Sequence, residues 1–594
     1  MGPMGGRNAF PRAVFSTAEI QIIQWFTEKL GVASATSLDE LRECRTHISE
    51  TFGSKPSLKT SKIGNIYSHN SLKTIIAHEI ANPITRSRLS VFPEDAGPYS
   101  SNATHGTKWR KEVKAEFASP MARIYTGNSY QDYFVNEPAL ALVDDIVVPL
   151  LITRWIKKSD SLVAQAHRLV PLSDRGGYAV DGRECFEVQE SELLVALPDF
   201  RVVHKEYDLP SPEHILALWQ DGEPSHEVPW MEPVENPWRA RAGGKEVIAV
   251  PIMGYCDDTS GNLSKKWNKH NSYLFVLAGL PQEDTHSPFH VHFLATSNIA
   301  SPLEMLEAIT KEAEEAAREG VWAYDAIKHD MVLAIVWWLA LQGDNPMQSE
   351  LSSHIGMNGK FFCRVCQACK KDKKDKKDKK QSRDEAEAEE KSHIGQFMSI
   401  GQSRSQAKTQ ESLHSQLKEF SDKRFTASDE LATSTGVKDK YLDHFIATMK
   451  ATYNQVAASR RITTRDGQRL IAELRENLPE RLFNPALYLP GIDVNQDTPV
   501  EILHVVLLGV AKYLWRDAVS RLNNASRGVL IARLNSLDVS GLGIAPLRGK
   551  TLVQYAGSLT GANFRDILQI APAVLFDPSG KSGSIITTWL GNFA

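Results

Sequence analysis

The spacing of apolar and polar residues changes character several times along this chain. Over residues 17–52 it is helical. STAEIQIIQWF opens on Ser/Thr with Glu three residues on, and SLDELRECRTHI repeats that start after a break. Residues 53–125 are mixed, with turn residues and scattered aromatics. From Tyr133 to Val203 the pattern is that of short strands bounded by Asp/Gly turns: ALVDDIVVPLLITRW, GYAVDGRECFEV and SELLVALPDFRVVHKEYDL. Prolines 210, 212, 224, 229, 233 and 237 mark residues 204–245 as a helix followed by an irregular linker.

An ordered series follows. Val247–Cys256, Ser272–Leu280 and Phe289–Thr296 are three strands, the last alternating cleanly. PLEMLEAITKEAEEAAREG, Pro302–Gly320, is a charged helix with a Gly stop, and Leu333–Leu341 is a fourth strand or a buried helix. Three strands, a helix and a strand ending in Asp is the chain order of an RNase H-like α/β core. In that fold the first and fourth strands lie side by side, with a right-handed crossover. Residues 395–484 are helical and polar, and 496–535 form one or two helices with an apolar face.

Composition sharpens this picture in three ways. A chain of 594 residues, 42% hydrophobic and 24% charged, is expected to be mostly folded in two to four domains. A net charge of −4 excludes a global basic field, so any nucleic-acid contact must come from local patches. Of six cysteines, three lie within seven residues, which points to a reducing compartment and a metal rather than a disulfide framework. MGPMGGRNAFPRAV lacks the apolar core of a signal peptide, and no apolar stretch reaches the length of a membrane span, so an intracellular protein is expected. The tract KKDKKDKKDKKQSRDEAEAEEK, residues 370–391, reads as a solvated, disordered linker; interleaved Asp weakens a nuclear-import or phosphate-tracking role.

Candidate chemistry lies in three phrases. In GYCDDTSGNLSKKWNKHNSYLFVLAGLP, Asp257 and Asp258 close the first strand of the series. A carboxylate at the mouth of a buried strand needs a cation or a donor facing it. Adjacent strand residues face opposite ways, so only one of the two leads, and Asp257 is favoured. Lys265, Lys266 and Lys269, interleaved with Trp267, form a basic and aromatic patch suited to phosphates and a base, or else a hairpin rim with Trp267 packed on the core. In GDNPMQSELSSHIGMNGKFFCRVCQAC, Asp344 closes the fourth strand, and His354, Cys363, Cys366 and Cys369 supply four ligands for a structural Zn²⁺, with His393 a competing fourth. Asp257 and Asp344 together suggest hard-ligand Mg²⁺ or Mn²⁺ chemistry on a phosphodiester; the alternative is two ordinary strand-end turns. In DTPVEILHVVLLGVAKYLW, Asp497-Thr498-Pro499 starts a helix on which Glu501 and His504 share a face. His504 could there bond a carboxylate or phosphate, or simply be a partly buried helix residue.

In order, CDDTSGNLSKKWNKHNSY…LAGLP, GDNPMQSELSSHIGMNGKFFCRVC and TPVEILHVVLLGVAKYLWRDAV resemble the transposases of CACTA-like DNA mobile elements, closest to the Plavaka kind of mushroom-forming fungi. Looser similarity runs from LGVASATSLDELR through FGSKPSLKTSKIGNIY to FRDILQIAPAVLF. The resemblance implies an RNase H-like nuclease with a DDE triad, a DNA partner and a nuclear location, with no membrane; homo-oligomerisation is left open. It makes Asp257 or Asp258 the first Asp and Asp344 the second, and matches Cys363/Cys366 and Glu501…His504 to family motifs. The family's final Glu is expected further downstream, and after Asp577 the chain departs from that pattern, as in a truncated and inactive copy. Glu501, Asp517 and Asp566 are the candidate stand-ins. A non-catalytic DNA-binding or protein-interaction remnant is the alternative, and an unrelated metal-dependent nuclease a third reading. The expected organisation is an α/β protein: an N-terminal mixed α+β region (1–130), a β-rich region and linker (131–245), the RNase H-like core (246–350), a zinc knuckle (351–370), the charged linker (371–395), a helical insertion (396–490) and a helical C-terminal segment (491–594).

Overall fold

A computed structural model describes residues 16–575, apart from 32–36, 54–55, 99, 173–175, 221–222, 225–233, 261–268, 370–399, 423, 459–464, 466–468, 471, 474–475 and 477. The low-complexity tract and His393 therefore lie outside the described residues. The chain divides into two compact units, one of residues 1–341 with 350–497 and one of residues 342–349 with 498–594.

The larger unit begins with helices α1 (Thr17–Lys29) and α2 (Leu38–Phe52). Their starts carry the expected reciprocal caps. Ser16 N donates to Glu19 while Glu19 N donates to Ser16 Oγ, and Ser37 and Glu40 repeat the exchange. A two-stranded ribbon, β3 (Met121–Thr126) with β4 (Ser129–Phe134), accompanies two large sheets. One is ordered β11-β10-β8-β7-β6-β5-β9, from β5 (Pro138–Val143), β6 (Ile146–Lys158), β7 (Ser161–Leu172), β8 (Gly177–Gln189), β9 (Leu193–Val195), β10 (Ile215–Gln220) and β11 (Glu223–Pro224). Its two faces are sorted by the strand period of two. Ala139, Ala141, Leu150 and Ile152 pack with Trp155 on one side. Leu140 and Leu151 pack with Tyr178 and Phe200 on the other. The helix expected after residue 204 is confined to a short 3₁₀ turn, His204–Tyr207; Ile215–Gln220 is instead a strand that pairs parallel to β8. The apolar alternation of ILALW wins because the edge of β8 offers it a ladder and buries Ile215 and Ala217.

The other sheet is ordered β1-β2-β14-β13-β12-β16-β15. It comprises β1 (Ser57–Thr60), β2 (Ile66–His69), β12 (Glu246–Ser260), β13 (Lys269–Leu277), β14 (His292–Ser297), β15 (Val321–Asp325) and β16 (Asp330–Gln342). Strands β12, β13 and β14 are antiparallel neighbours. Helix α3 (Pro302–Glu319) crosses from β14 to a β15–β16 hairpin. Val247 packs with Leu333 and Ile335, and Gly254 lies against Trp338 and Leu341, so adjacent β12 and β16 run parallel. Gly254 has no alternative, since a Cβ there would sit 2.1 Å from the Trp338 ring. The expected strand–strand–strand–helix–strand order is present, with two additions: the hairpin partner β15, and the N-terminal pair β1–β2, which joins this sheet through β14.

Helix α3 is fixed to the sheet's edge through one carboxylate. Glu304 caps the helix by accepting Ser301 N, and it also accepts Ser61 Oγ at 2.7 Å and Asn65 Nδ2 at 2.8 Å from the β1–β2 turn. Burial opposes its charge, yet these donors hold its carboxyl below the usual value. Beyond the sheet, helices α4 (Gln406–Ser421), α5 (Phe425–Thr435) and α6 (Lys440–Ala458) complete the larger unit.

Asp439 starts α6 and is 1% exposed. Its carboxylate accepts Asn484 N at 2.7 Å and Tyr441 N at 2.8 Å, with no cation bonded to it among the described residues. Burial pushes its pKa up to about 7 against these donors. The stability it contributes is therefore full below its unfolded pKa near 4 and is lost as pH rises through about 7. Asp439→Ala should destabilise the larger unit by about 1–3 kcal/mol, the range for orphaned buried donors. The penalty should shrink between about pH 4 and 7 in urea denaturation series.

Candidate functional site

Asp257 stands near the end of β12, opposite Ser272 of β13. It is half-buried, whereas Asp258 is exposed on the other face. Tyr255, two residues back and so on the same face, donates its hydroxyl to Asp257 Oδ2 at 2.7 Å, and Asp258 N donates to Oδ1 at 2.7 Å. Asp257 is thus the positioned member of the pair. Lys265, Lys266 and Trp267 lie outside the described residues; Lys269 opens β13 opposite Ser260.

In the smaller unit, Asp344 precedes the helix Asn345–Leu351. Its Oδ1 accepts Met347 N at 2.8 Å and its carbonyl accepts Gln348 N at 2.8 Å, the geometry of a helix N-cap. Gln348 in turn donates to the Pro499 carbonyl. Glu501 and His504 do share a face, with Glu501 Oε2 2.9 Å from His504 Nδ1. The same carboxylate also accepts Leu503 N at 2.7 Å and His504 N at 2.6 Å. Both its oxygens therefore close the start of the helix that follows. That helix, Leu503–Ala511, is π-helical and runs into Lys512–Ser520.

The cysteine segment belongs to the larger unit. Cys366 is buried, Cys363 partly so and Cys369 exposed. Burial raises the Cys366 thiol, but Ala368 N, Gly401 N, the Cys363 thiol and the Arg404 charge together hold it below its usual pKa. Arg404 is the organiser that the sequence did not reveal. It is 6% exposed, and its Nε donates to the carbonyls of Cys363 and Cys366, each at 3.1 Å, while Nη1 donates to Thr435 O at 2.9 Å. Gly401 was missed too; a Cβ there would meet Ala368 N at 2.6 Å, so only glycine lets this strand cross the cysteine turn.

His354 takes a different part from the expected one. Its Nε2 lies 2.9 Å from Phe361 O and its Nδ1 accepts Gly356 N at 3.1 Å, so both ring nitrogens are committed to backbone. Among the described residues no three His, Cys, Asp or Glu side chains are grouped to hold a metal ion. The sites therefore fit their metals only in part. Two sulfurs, Cys363 and Cys366, are together for a soft ion, without His354 and Cys369, and Glu501 is occupied as a cap rather than presented to Mg²⁺ or Mn²⁺.

Residues 122–248 match a family described as a domain of unknown function, DUF8591. The match covers the β5–β11 sheet and ends at the start of β12, so Asp257 and the cysteines lie outside it. No curated protein matches the chain.

The neutral state of His354 is testable. Burial first, then the Arg404 charge, push its pKa down to about 4. Its stability contribution is then complete above the unfolded pKa of about 6.5 and is lost as pH falls through about 4. His354→Gln should lower stability at pH 7 and flatten the acid limb between pH 6.5 and 4 in thermal melts; an unchanged acid limb would place the titration elsewhere.

Proposed function

We propose that this chain is a transposase-like, DNA-acting protein with an RNase H-like core, related to the CACTA-like mobile-element enzymes that its three phrases resemble. One observation carries the reading. Three antiparallel strands, a helical crossover and a parallel return strand beside the first put the conformationally held Asp257 late on an interior strand of a seven-stranded sheet. Asp344, two residues beyond the return strand, is the second carboxylate of the proposal. When bound, a divalent ion would polarise a phosphodiester and activate the attacking oxygen. Asp257 would hold it, with Tyr255 fixing the free carboxylate's direction. Glu501, closing its own helix, is assigned to positioning rather than to the metal, so the favoured activity is binding of DNA and of one ion without strand cleavage. Cys363 and Cys366 are the two thiols assigned to a structural zinc, with further ligands sought beyond the described residues. A nuclear location goes with this reading.

Mn²⁺ titration followed by electron paramagnetic resonance checks it. One bound ion is expected, weakened at least tenfold by Asp257→Asn, with no nicked product from DNA in Mn²⁺. Mn²⁺ binding unaffected by that substitution would sink the nuclease-type reading. Cleavage abolished by Asp344→Asn would instead make the chain a complete enzyme.

A further inference from the structure

The smaller unit carries a second feature that none of the site residues above explains. Between residues 498 and 575 the chain has eight Lys and Arg against four Asp and Glu, a local charge of +4 in a protein whose net charge is −4. Part of this charge is gathered at a hollow of about 530 Å³. Helix α7 (Lys512–Ser520) contributes Arg516 and Ser520, and helix α8 (Asn524–Ser536) contributes Asn524 and Arg527. Gln554, at the end of the short helix Gly549–Gln554, closes the third side. Val519 and Val553 give it an apolar floor. No Asp or Glu is among the described residues that line it. The nearest acid in sequence, Asp517, is paired with Arg521 at 2.8 Å. Arg527 is half-buried and fixed by its Nε bond to Val519 O at 3.3 Å, whereas Arg516 is exposed.

We propose that this hollow docks the phosphodiester backbone of a nucleic-acid strand. Two guanidiniums without a facing carboxylate favour a polyanion. The N-terminus of α8 adds a positive dipole end beside Asn524. The volume is more than one phosphate fills, and exposed tyrosines adjoin the lining residues along the chain. Tyr513, 65% exposed, is three residues before Arg516 on one helix face, and Tyr555, 59% exposed, follows Gln554. Cations flanked by exposed aromatic rings suit a backbone with its bases alongside. The proposal takes its partner from the DNA reading above, but its residues are independent of Asp257 and Asp344.

Fluorescence anisotropy of the full chain with a labelled 30-mer duplex and a single strand, over 50–200 mM KCl, tests it. Arg516→Glu should weaken binding at least tenfold. Arg516→Ala with Arg527→Ala should also reduce the slope of log K against log salt by about 1.4–1.8, at about 0.7–0.9 per phosphate contact. Unchanged affinity and slope in the exposed-site variant Arg516→Glu, with an unaltered circular-dichroism melt, would overturn the proposal. Competition by poly-glutamate as effective as by DNA would also overturn it, in favour of an acidic protein partner. Failure of Mn²⁺ binding with the salt-dependent Arg516 effect intact would remove only the metal reading.

Discussion

Much of the larger unit hangs on a buried knot of backbone donors around Asp439 and Asn484. Asn484 is fully buried; its Nδ2 donates to Leu351 O at 2.7 Å and Ser353 Oγ at 3.1 Å, and its Oδ1 accepts Ala486 N at 2.9 Å. Its own N–H goes to Asp439, which closes helix α6. Three chain segments far apart in sequence thus share one set of polar atoms. The knot tolerates a carboxylate without a cation because nearly every lone pair meets an N–H. Next to it, Lys438 N bonds Ser353 O and His354 pairs with Val437, so the cysteine segment inherits its position from this knot.

The same segment then reaches the sheet. Trp338 N donates to Pro490 O at 2.8 Å and Leu341 N to Asp497 O at 2.9 Å, which closes the outer run of β16 with chain 490–497. Gly491, at φ +87°, passes so close that a Cβ would meet Trp338 O at 2.8 Å. Close packing of Trp337 and Trp338, both wholly buried, accordingly requires Gly254 on one side and Gly491 on the other. Lys108 neutralises Asp497 where this closure ends. Each tryptophan side chain buried in this way adds a few kcal/mol at roughly 25 cal/mol per Å² of apolar area.

Strand placement was legible where periodicity was unambiguous. Phe289–Thr296 alternates, and β14 runs His292–Ser297; the charged run Pro302–Gly320 with its Gly stop marked the helix whose start Ser301 and Glu304 close. Val321–Asp325 was passed over although it alternates buried and exposed residues, because five residues between a Gly and a turn resemble a loop until the hairpin partner β16 is in place. Ile215–Gln220 misled for the opposite reason, since apart from a two-residue pairing with β11 its ladder is made with β8, thirty-odd residues earlier. Non-local pairing of this kind leaves little local trace. The cysteine site was half legible. C-x-x-C marked the two thiols, but the groups that tune them, Gly401 and Arg404, lie beyond the charged tract and carry no motif.

Carboxylates explain why the residue pattern pointed to more metal ligands than the geometry assembles. An Asp or Glu before a helix satisfies orphan N–H groups at little expense, and that is how Asp344, Asp439 and Glu501 are used. Spacing alone cannot separate such a cap from a ligand, since both place an acid at the end of an apolar run. The oxygens' partners can. Glu501 gives both oxygens to its own helix, and Asp344 gives one to Met347. Asp257 differs in kind: its partners are a side-chain hydroxyl and the next N–H on a strand, with no helix end to close. A carboxylate oriented by a tyrosine on an interior strand serves no capping need, so among the acids singled out from the sequence it is the one on which the proposed metal site rests.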